Sequence, residues 1–300
     1  MFKKSEGRCG FVAIIGRPNV GKSTLLNHLI KQKLSITSRK PQTTRHRLLG
    51  IRNTENNQII YVDTPGLHQE KSNNALNRYL KRTALSSLED ISVVLWLVEA
   101  LHWQEEDEQV RKVLKRIASP IILVVNKTDK VKDKNQLLPY LQTLAEKQVF
   151  TDIFPISAFK SQHLIGLESK IISLLPINAP LFPEEYITDR SERFLVTELI
   201  REKLMRCLGA ELPYRLTVQL ENFSQEKTVT YIGAIIWVER ASQKAIVIGK
   251  AGKTLKKVGG SARQEIEILL ERKVFLQLWV KVRQGWCNDD QALQQFGYFE

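Results

Sequence analysis

The chain has 300 residues, 43% of them apolar, with 45 Lys and Arg against 32 Asp and Glu, a formal net charge of +13. That length and apolar content suffice for two ordinary domains with separate cores. No apolar run is long enough to span a bilayer: the longest, residues 91–98, is strand-sized and interrupted by Ser92. The positive balance points to a polyanionic partner and says nothing about fold. Met1-Phe2-Lys3-Lys4-Ser5-Glu6 is basic but has no apolar stretch behind it long enough for a secretory signal. Cys9, Cys207 and Cys287 make neither a metal-ligand spacing nor an even disulfide framework, so a cytoplasmic protein is expected. The basic residues cluster in two windows free of Asp and Glu, residues 7–54 and 240–264.

Residues 11 to about 175 alternate short apolar runs with amphipathic segments, which predicts a doubly wound α/β domain. Strands are expected at 11–15, 47–52, 58–63, 91–98, 120–126 and 153–156, and helices at 24–33, 74–88, 105–117, 135–147 and 166–175. Thr54-Glu55-Asn56-Asn57 favours a hairpin between the second and third strands, so one edge strand of an otherwise parallel sheet is expected to run antiparallel.

The first strand leads into Gly16-Arg17-Pro18-Asn19-Val20-Gly21-Lys22-Ser23-Thr24, of the form G-x-x-x-x-G-K-[ST], and then into a helix. In that setting the glycines let backbone N–H groups turn around a polyphosphate, and the helix N-terminus adds positive potential. Lys22 can then neutralise the outer phosphates and Ser23 can hold Mg2+. The polar loop that follows contains Pro41-Gln42-Thr43-Thr44-Arg45, where a threonine can join the Mg2+ shell and sense the third phosphate; Thr44 is the choice over Thr43.

In such sheets ligands bind outside the carboxyl ends of the strands, and three further motifs fall there. Strand 58–63 ends in Asp63-Thr64-Pro65-Gly66: the carboxylate can reach Mg2+ through water and the Gly66 N–H can meet a terminal phosphate. Lys22, Thr44 and Gly66 are therefore expected to act on that phosphate. Strand 120–126 ends in Asn126-Lys127-Thr128-Asp129. Asp129 can accept from guanine N1–H and the N2 amino group, whereas adenine would leave it unpaired, a strong basis for discrimination. Lys127 would cover the base, Asn126 would brace the loop, and Ser157-Ala158 can offer a backbone N–H to guanine O6.

The order of these five motifs resembles that of small GTPases and covers nearly all of residues 8–175. Asp63-Thr64-Pro65-Gly66-Leu67 and Gln42-Thr43-Thr44-Arg45-His46-Arg47 resemble the bacterial Era family in particular. Where Ras-like enzymes place a glutamine to orient the attacking water, this chain has Leu67, which cannot hydrogen-bond water. The resemblance thus implies a slow GTPase whose water is positioned by other means.

Three prolines within residues 176–183 predict a stiff extended linker, here bounded at 176–190. Ser191 can cap a helix whose apolar face includes Leu195, Leu199, Leu204 and Leu208, with Gly209 ending it. Strands are expected at 214–221, 228–240 and 274–282, with a helix at 253–271. Ile248-Gly249-Lys250-Ala251-Gly252-Lys253, followed by Lys256 and Lys257, is a G-x-x-G loop between helices that lets a nucleic-acid backbone approach while lysines face its phosphates. Gly7-Arg8-Cys9-Gly10 has the same form without that context.

The arrangement of residues 191–300 resembles a type II KH domain, and Leu278-Trp279-Val280-Lys281-Val282 is close to the Era pattern. KH grooves read unpaired strands. The resemblance implies the single-stranded 3′ end of small-subunit ribosomal RNA as target and a role in assembling the small ribosomal subunit. GTP or GDP with Mg2+ is the expected cofactor set, and a monomer, with peripheral contact at the inner membrane, is entertained. Two other classes use the same residues: a passive RNA-binding module whose nucleotide site never turns over, and a GTPase that meets anionic lipid through its basic faces.

Overall fold

The computed structural model describes residues 7–38, 40, 43–65, 74–87, 90–147, 149–209 and 212–298. The chain divides into two compact units, residues 1–71 with 80–189 and residues 72–79 with 190–300. In the first, the chain runs through β1 (Arg8–Ile15), α1 (Lys22–Ile30), β2 (Leu48–Asn53), β3 (Asn57–Asp63), α2 (Ala75–Ser86, divided between the units), β4 (Val93–Glu99) and α3 (Glu105–Leu114). It continues through β5 (Ile121–Asn126), α4 (Leu137–Ala145), β6 (Asp152–Pro155) and α5 (Leu164–Leu174).

The strand order is β2-β3-β1-β4-β5-β6, with β2 antiparallel to β3 and all other pairs parallel, as the hairpin predicts. Every residue of β5 is buried, as is all of β4 except Glu99. Uninterrupted apolar runs of this kind suit a parallel sheet covered by helices on both faces. Because β1, β3, β4, β5 and β6 are parallel, their carboxyl ends share one sheet edge, and register sets Ile14 beside Asp63 and Glu99 beside Asn126.

Two boundaries differ instructively from expectation. α4 starts at Leu137 after a 3-10 turn, Lys134–Gln136, because a helix from residue 135 would need the N–H that Pro139 lacks. α1 starts at Lys22, two residues early, so its first turn belongs to the Gly16–Ser23 loop.

The proline-rich segment is not extended throughout, since Tyr186 N–H donates to the Pro183 carbonyl at 3.1 Å in a turn, and it is fastened to the sheet. Cys9 N–H donates to the Pro176 carbonyl at 3.1 Å and Ile51 N–H to the Ile187 carbonyl at 2.9 Å. The buried Gln58 side chain accepts from the Leu181 and Phe182 N–H groups at 2.8 and 2.9 Å and donates to the Phe182 carbonyl at 2.8 Å. The strap thereby covers the backbone of β2, which would otherwise be an open sheet edge.

In the second unit α6 (Glu192–Cys207) leads into β7 (Leu216–Gln225), β8 (Val229–Val238), α7 (Ala241–Ile248), α8 (Lys253–Leu270), β9 (Lys273–Val282) and α9 (Asp290–Gln295). Ser191 caps α6 by accepting from Phe194 N–H at 3.3 Å. The sheet order is β7-β8-β9, antiparallel then parallel, which is the α-β-β-α-α-β arrangement of a type II KH domain. Helices α6, α7 and α8 share one core with the inward residues of the sheet. α6 buries more than its leucines: Arg201 is also buried, its guanidinium 2.5 Å from Glu198, a pairing that makes the burial of both charges tolerable. Among the described residues no helix is long and apolar enough to cross a membrane.

Candidate nucleotide and RNA sites

The loop between β1 and α1 is braced from across the sheet edge. Asn126, at the end of β5, donates from Nδ2 to the Val20 carbonyl at 2.7 Å and accepts at Oδ1 from Ala158 N–H at 2.9 Å. One amide thus ties the phosphate loop to both base-side motifs. It also explains Gly21, whose φ is +108° and where a Cβ would stand 2.3 Å from Asn126 Nδ2. Asn19 and Lys127 are both left-handed as well, at φ 65° and 64°. Lys22 curls back over its own loop, donating to the Gly16 and Arg17 carbonyls at 3.0 and 3.1 Å. Burial lowers its ammonium to about 8, with Asp63 opposing the shift and Arg17 adding to it. Phosphate oxygens are the natural partners for a buried cation held in this way.

Three hydroxyls converge on Asp63 Oδ2: Ser23 at 3.2 Å, Thr44 at 3.1 Å and Ser35 at 2.7 Å, while Ser23 and Thr44 lie 3.1 Å apart. Asp63 is fully buried and its other oxygen, Oδ1, has no hydrogen-bond partner among the described residues. Burial raises its pKa, and the hydroxyls and Lys22 only partly oppose this. A buried carboxylate with one oxygen unmatched, next to two hydroxyls, is a hard-oxygen donor set that suits Mg2+. Ser23, Thr44 and Asp63 thus come together as the sequence predicts, and Thr44 is the threonine at the carboxylate; Thr43 instead donates to the Lys40 carbonyl at 2.6 Å. Thr64 bonds the Ile14 carbonyl at 3.2 Å, and Pro65 is buried. Gly66 and Leu67 lie outside the described residues.

On the base side, Asp129 Oδ1 accepts from Ser157 Oγ at 2.6 Å and Thr128 Oγ1 donates to the Ile156 carbonyl at 2.9 Å. Lys127 Nζ lies 2.6 Å from Glu99 Oε2. Of the Ser157-Ala158 pair, expected to offer a backbone N–H to guanine O6, the Ala158 N–H is taken up by Asn126 and the Ser157 N–H is directed at the Gln162 carbonyl at 3.4 Å. The Arg17 side chain is held away from the loop by Asp107 Oδ2 at 3.0 Å and the His102 carbonyl at 3.2 Å. Asp107 also caps α3 by accepting from Gln104 N–H at 3.0 Å. Sequence reasoning missed Ser35, Glu99 and Asp107. A first-turn acid in a predicted helix hinted at Asp107, but Ser35 sits in a loop without pattern.

In the second unit, α7 ends at Ile248 and α8 begins at Lys253. Between them Gly249, Ala251 and Gly252 all have positive φ, at 74°, 51° and 74°. A Cβ at Gly252 would meet nothing within 4 Å, so the loop offers open backbone at the N-terminus of an 18-residue helix. Lys250, Ala251, Lys253, Lys256 and Lys257 are exposed around it, and Ile248 is partly buried.

Comparison with known proteins agrees with both halves. A family model described as 50S ribosome-binding GTPase matches residues 11–127, and one described as KH domain matches residues 211–287. The chain is 52% identical to GTPase Era of Azotobacter vinelandii and 51% identical to that of Pseudomonas entomophila, each over 99% of both chains. Among solved structures, Era in complex with MgGDPNP and nucleotides 1506–1542 of 16S ribosomal RNA superposes with a TM-score of 0.95 at 40% identity, covering 98% of this chain and all of that one. A variant of Aquifex aeolicus Era bound to GDP.AlF4- gives 0.94 at the same identity and coverage. With the five motifs gathered at one sheet edge, a KH arrangement after them and likeness at this level along the whole chain, the protein belongs to the Era family of GTPases.

Proposed function

We infer that this chain binds and slowly hydrolyses GTP with Mg2+ at the edge formed by the ends of β1, β3, β5 and β6, and that its KH domain grips the single-stranded 3′ end of small-subunit ribosomal RNA during assembly of that subunit. The observation that carries the first half is the meeting of Ser23, Thr44 and Asp63 beside a loop whose conformation Asn126 sets. Ser23, Thr44 and, through water, Asp63 would hold Mg2+, which supplies charge neutralisation on the phosphate oxygens. Residues 16–24 would wrap the phosphates by backbone N–H groups. Lys22 would leave its two carbonyls for phosphate oxygens and hold its proton there. Gly66 N–H would meet the terminal phosphate, and Leu67 would leave the water to be oriented by another group.

Asp129 would select guanine, with Lys127 over the base. Ala158 N–H would reach O6 only by sharing its bond to Asn126. Arg17 would contribute its backbone, since its guanidinium is engaged by Asp107. Ile248, Gly249, Lys250, Ala251, Gly252, Lys253, Lys256 and Lys257 would meet RNA. The description of the nucleotide domain's family names a 50S-binding GTPase, but the full-length relative was crystallised with 16S RNA, and we carry over that strand. A cytoplasmic place of action follows from the partner.

Asp129→Asn tests the nucleotide half. Two charge-assisted hydrogen bonds are lost, so GTP affinity should fall at least about 100-fold while xanthosine triphosphate gains. An unchanged preference for guanine, or ATP competing as well as GTP in the parent protein, would refute the assignment.

A further inference from the structure

On β8 and β9 alternate side chains enter the core beneath the helices, and the aromatic ones face the other way, together with Val229 and Ile235. Ile232, Ala234, Ile236, Val274 and Val280 belong to the core beneath the helices. Tyr231, Trp237, Phe275 and Trp279 stand at the intervening positions, on the sheet face turned away from α6, α7 and α8. The C-terminal segment covers one end of that face: Phe296 lies 5.8 Å from Trp237, and the Tyr298 hydroxyl lies 3.1 Å from Thr217 Oγ1.

The other end is open. Tyr231 is 36%, Phe275 50% and Trp279 41% exposed, with the Tyr231 and Phe275 rings 5.7 Å apart. The Trp279 ring lies over Gly233, where a Cβ would come within 3.0 Å of it, so a bare backbone seats the indole. Along the outward face of β9 the residues read Lys273, Phe275, Gln277, Trp279 and Lys281, all exposed, with an amine at each end of the aromatic row. Lys281 has an ion pair at 3.6 Å with Glu221, both about half exposed, which an incoming phosphate can displace at little cost.

We propose that this open sheet face is a second RNA-binding surface, which stacks unpaired bases on Phe275 and Trp279, flanked by Tyr231, on the opposite side of the sheet from the 249–252 loop. Single-stranded RNA is recognised by stacking on aromatic side chains presented by a sheet, with cations along the backbone. Four residues of strand separate Phe275 from Trp279 by about 13 Å, room for about two bases of an extended strand. The outward aliphatic side chains of these strands are few, the partly buried Val229 and the buried Ile235, so rings and amines make up most of what the open end presents. Aromatic faces bounded by lysines match bases joined by phosphates. The surface needs the chain to meet single-stranded RNA, as the proposed function holds, but does not need the loop to hold it.

The test uses the full chain and fluorescein-labelled U20 RNA, read by anisotropy at fixed salt. Removing each stacking ring should weaken binding by about fivefold or more, so Phe275→Ala with Trp279→Ala should cost at least about 20-fold. Phe275→Tyr with Trp279→Phe should keep the parent affinity. Lys273→Glu with Lys281→Glu, on exposed positions that the core does not use, should weaken U20 by about tenfold and guards against loss of folding in the alanine pair. U20 affinity within twofold of the parent in both the alanine and the glutamate pairs overturns the proposal. So does a loss of binding to phosphatidylglycerol vesicles in those variants with U20 unaffected, which would assign the face to lipid. Lys250→Ala with Lys253→Ala is the separate control: no effect there refutes the loop as an RNA site and leaves the sheet face to be judged by its own variants.

Discussion

Two glycine loops in this molecule each open a helix beside lysines, and they are built on opposite plans. In the loop before α1, Gly21 has its missing side chain replaced by the Asn126 amide, and Lys22 is buried and bonded to two carbonyls of its own loop. In the loop before α8, Gly252 faces open space and its lysines are exposed. A small, highly charged ligand of fixed shape rewards a loop whose donors are held in place beforehand, because little order is left to impose on binding. A polymer backbone needs access and charge more than a mould. The same residue types therefore make a braced loop in one unit and an open one in the other.

The contrast can be broken most sharply by placing a methyl group in each loop. Gly21→Ala forces a strained φ and displaces the Asn126 brace, at a cost of about 3 kcal/mol, so GTP affinity should drop about 100-fold in a calorimetric titration. If affinity held, the loop would be softer than its packing implies. Lys250→Ala with Lys253→Ala comes next. The slope of log affinity for single-stranded RNA against log salt should become shallower by about 1.4 for two phosphate contacts, with GTP binding unchanged. An unaltered slope would remove those lysines from the RNA.

Ser35→Ala deletes the 2.7 Å bond to Asp63, worth about 1 kcal/mol, and should move the Mg2+ concentration needed for tight GTP binding about fivefold. The smallest functional effect is expected from Gly252→Ala. Its φ of 74° costs about 1 kcal/mol, visible as a lower melting temperature, and the methyl group has no protein neighbour to displace but stands where the RNA backbone is proposed to approach, so RNA affinity should fall about threefold. Unchanged RNA affinity there would take Gly252 out of the RNA contact.

Much of this was legible before any coordinates. Motifs at strand ends were readable because a parallel strand buried on both faces is an unbroken apolar run, so the residue that ends the run marks the sheet edge where ligands bind. The pairing of Asp63 with Ser23 and Thr44 followed from that rule. Ser35 did not, since it reaches Asp63 from a loop without periodicity and its partner lies 28 residues away. The fate of Arg17 was equally hidden: its position inside a phosphate motif suggested a phosphate ligand, whereas the acid that claims it opens a helix 90 residues later. Proline spacing announced an extended segment at 176–190, but the attachment of this stretch to Gln58 and β2 depends on hydrogen bonds that leave no local pattern.

From its residues alone this chain determined the order of most of its elements, the residue types at each strand end and the presence of two glycine loops that open helices beside lysines, because periodicity and short motifs are local properties of the backbone. Only the tertiary structure decided which side chains are spent on holding the loops and which are left for ligands. It also decided that the aromatic residues of β8 and β9 share one open face, because that depends on strand register and on which face the helices cover.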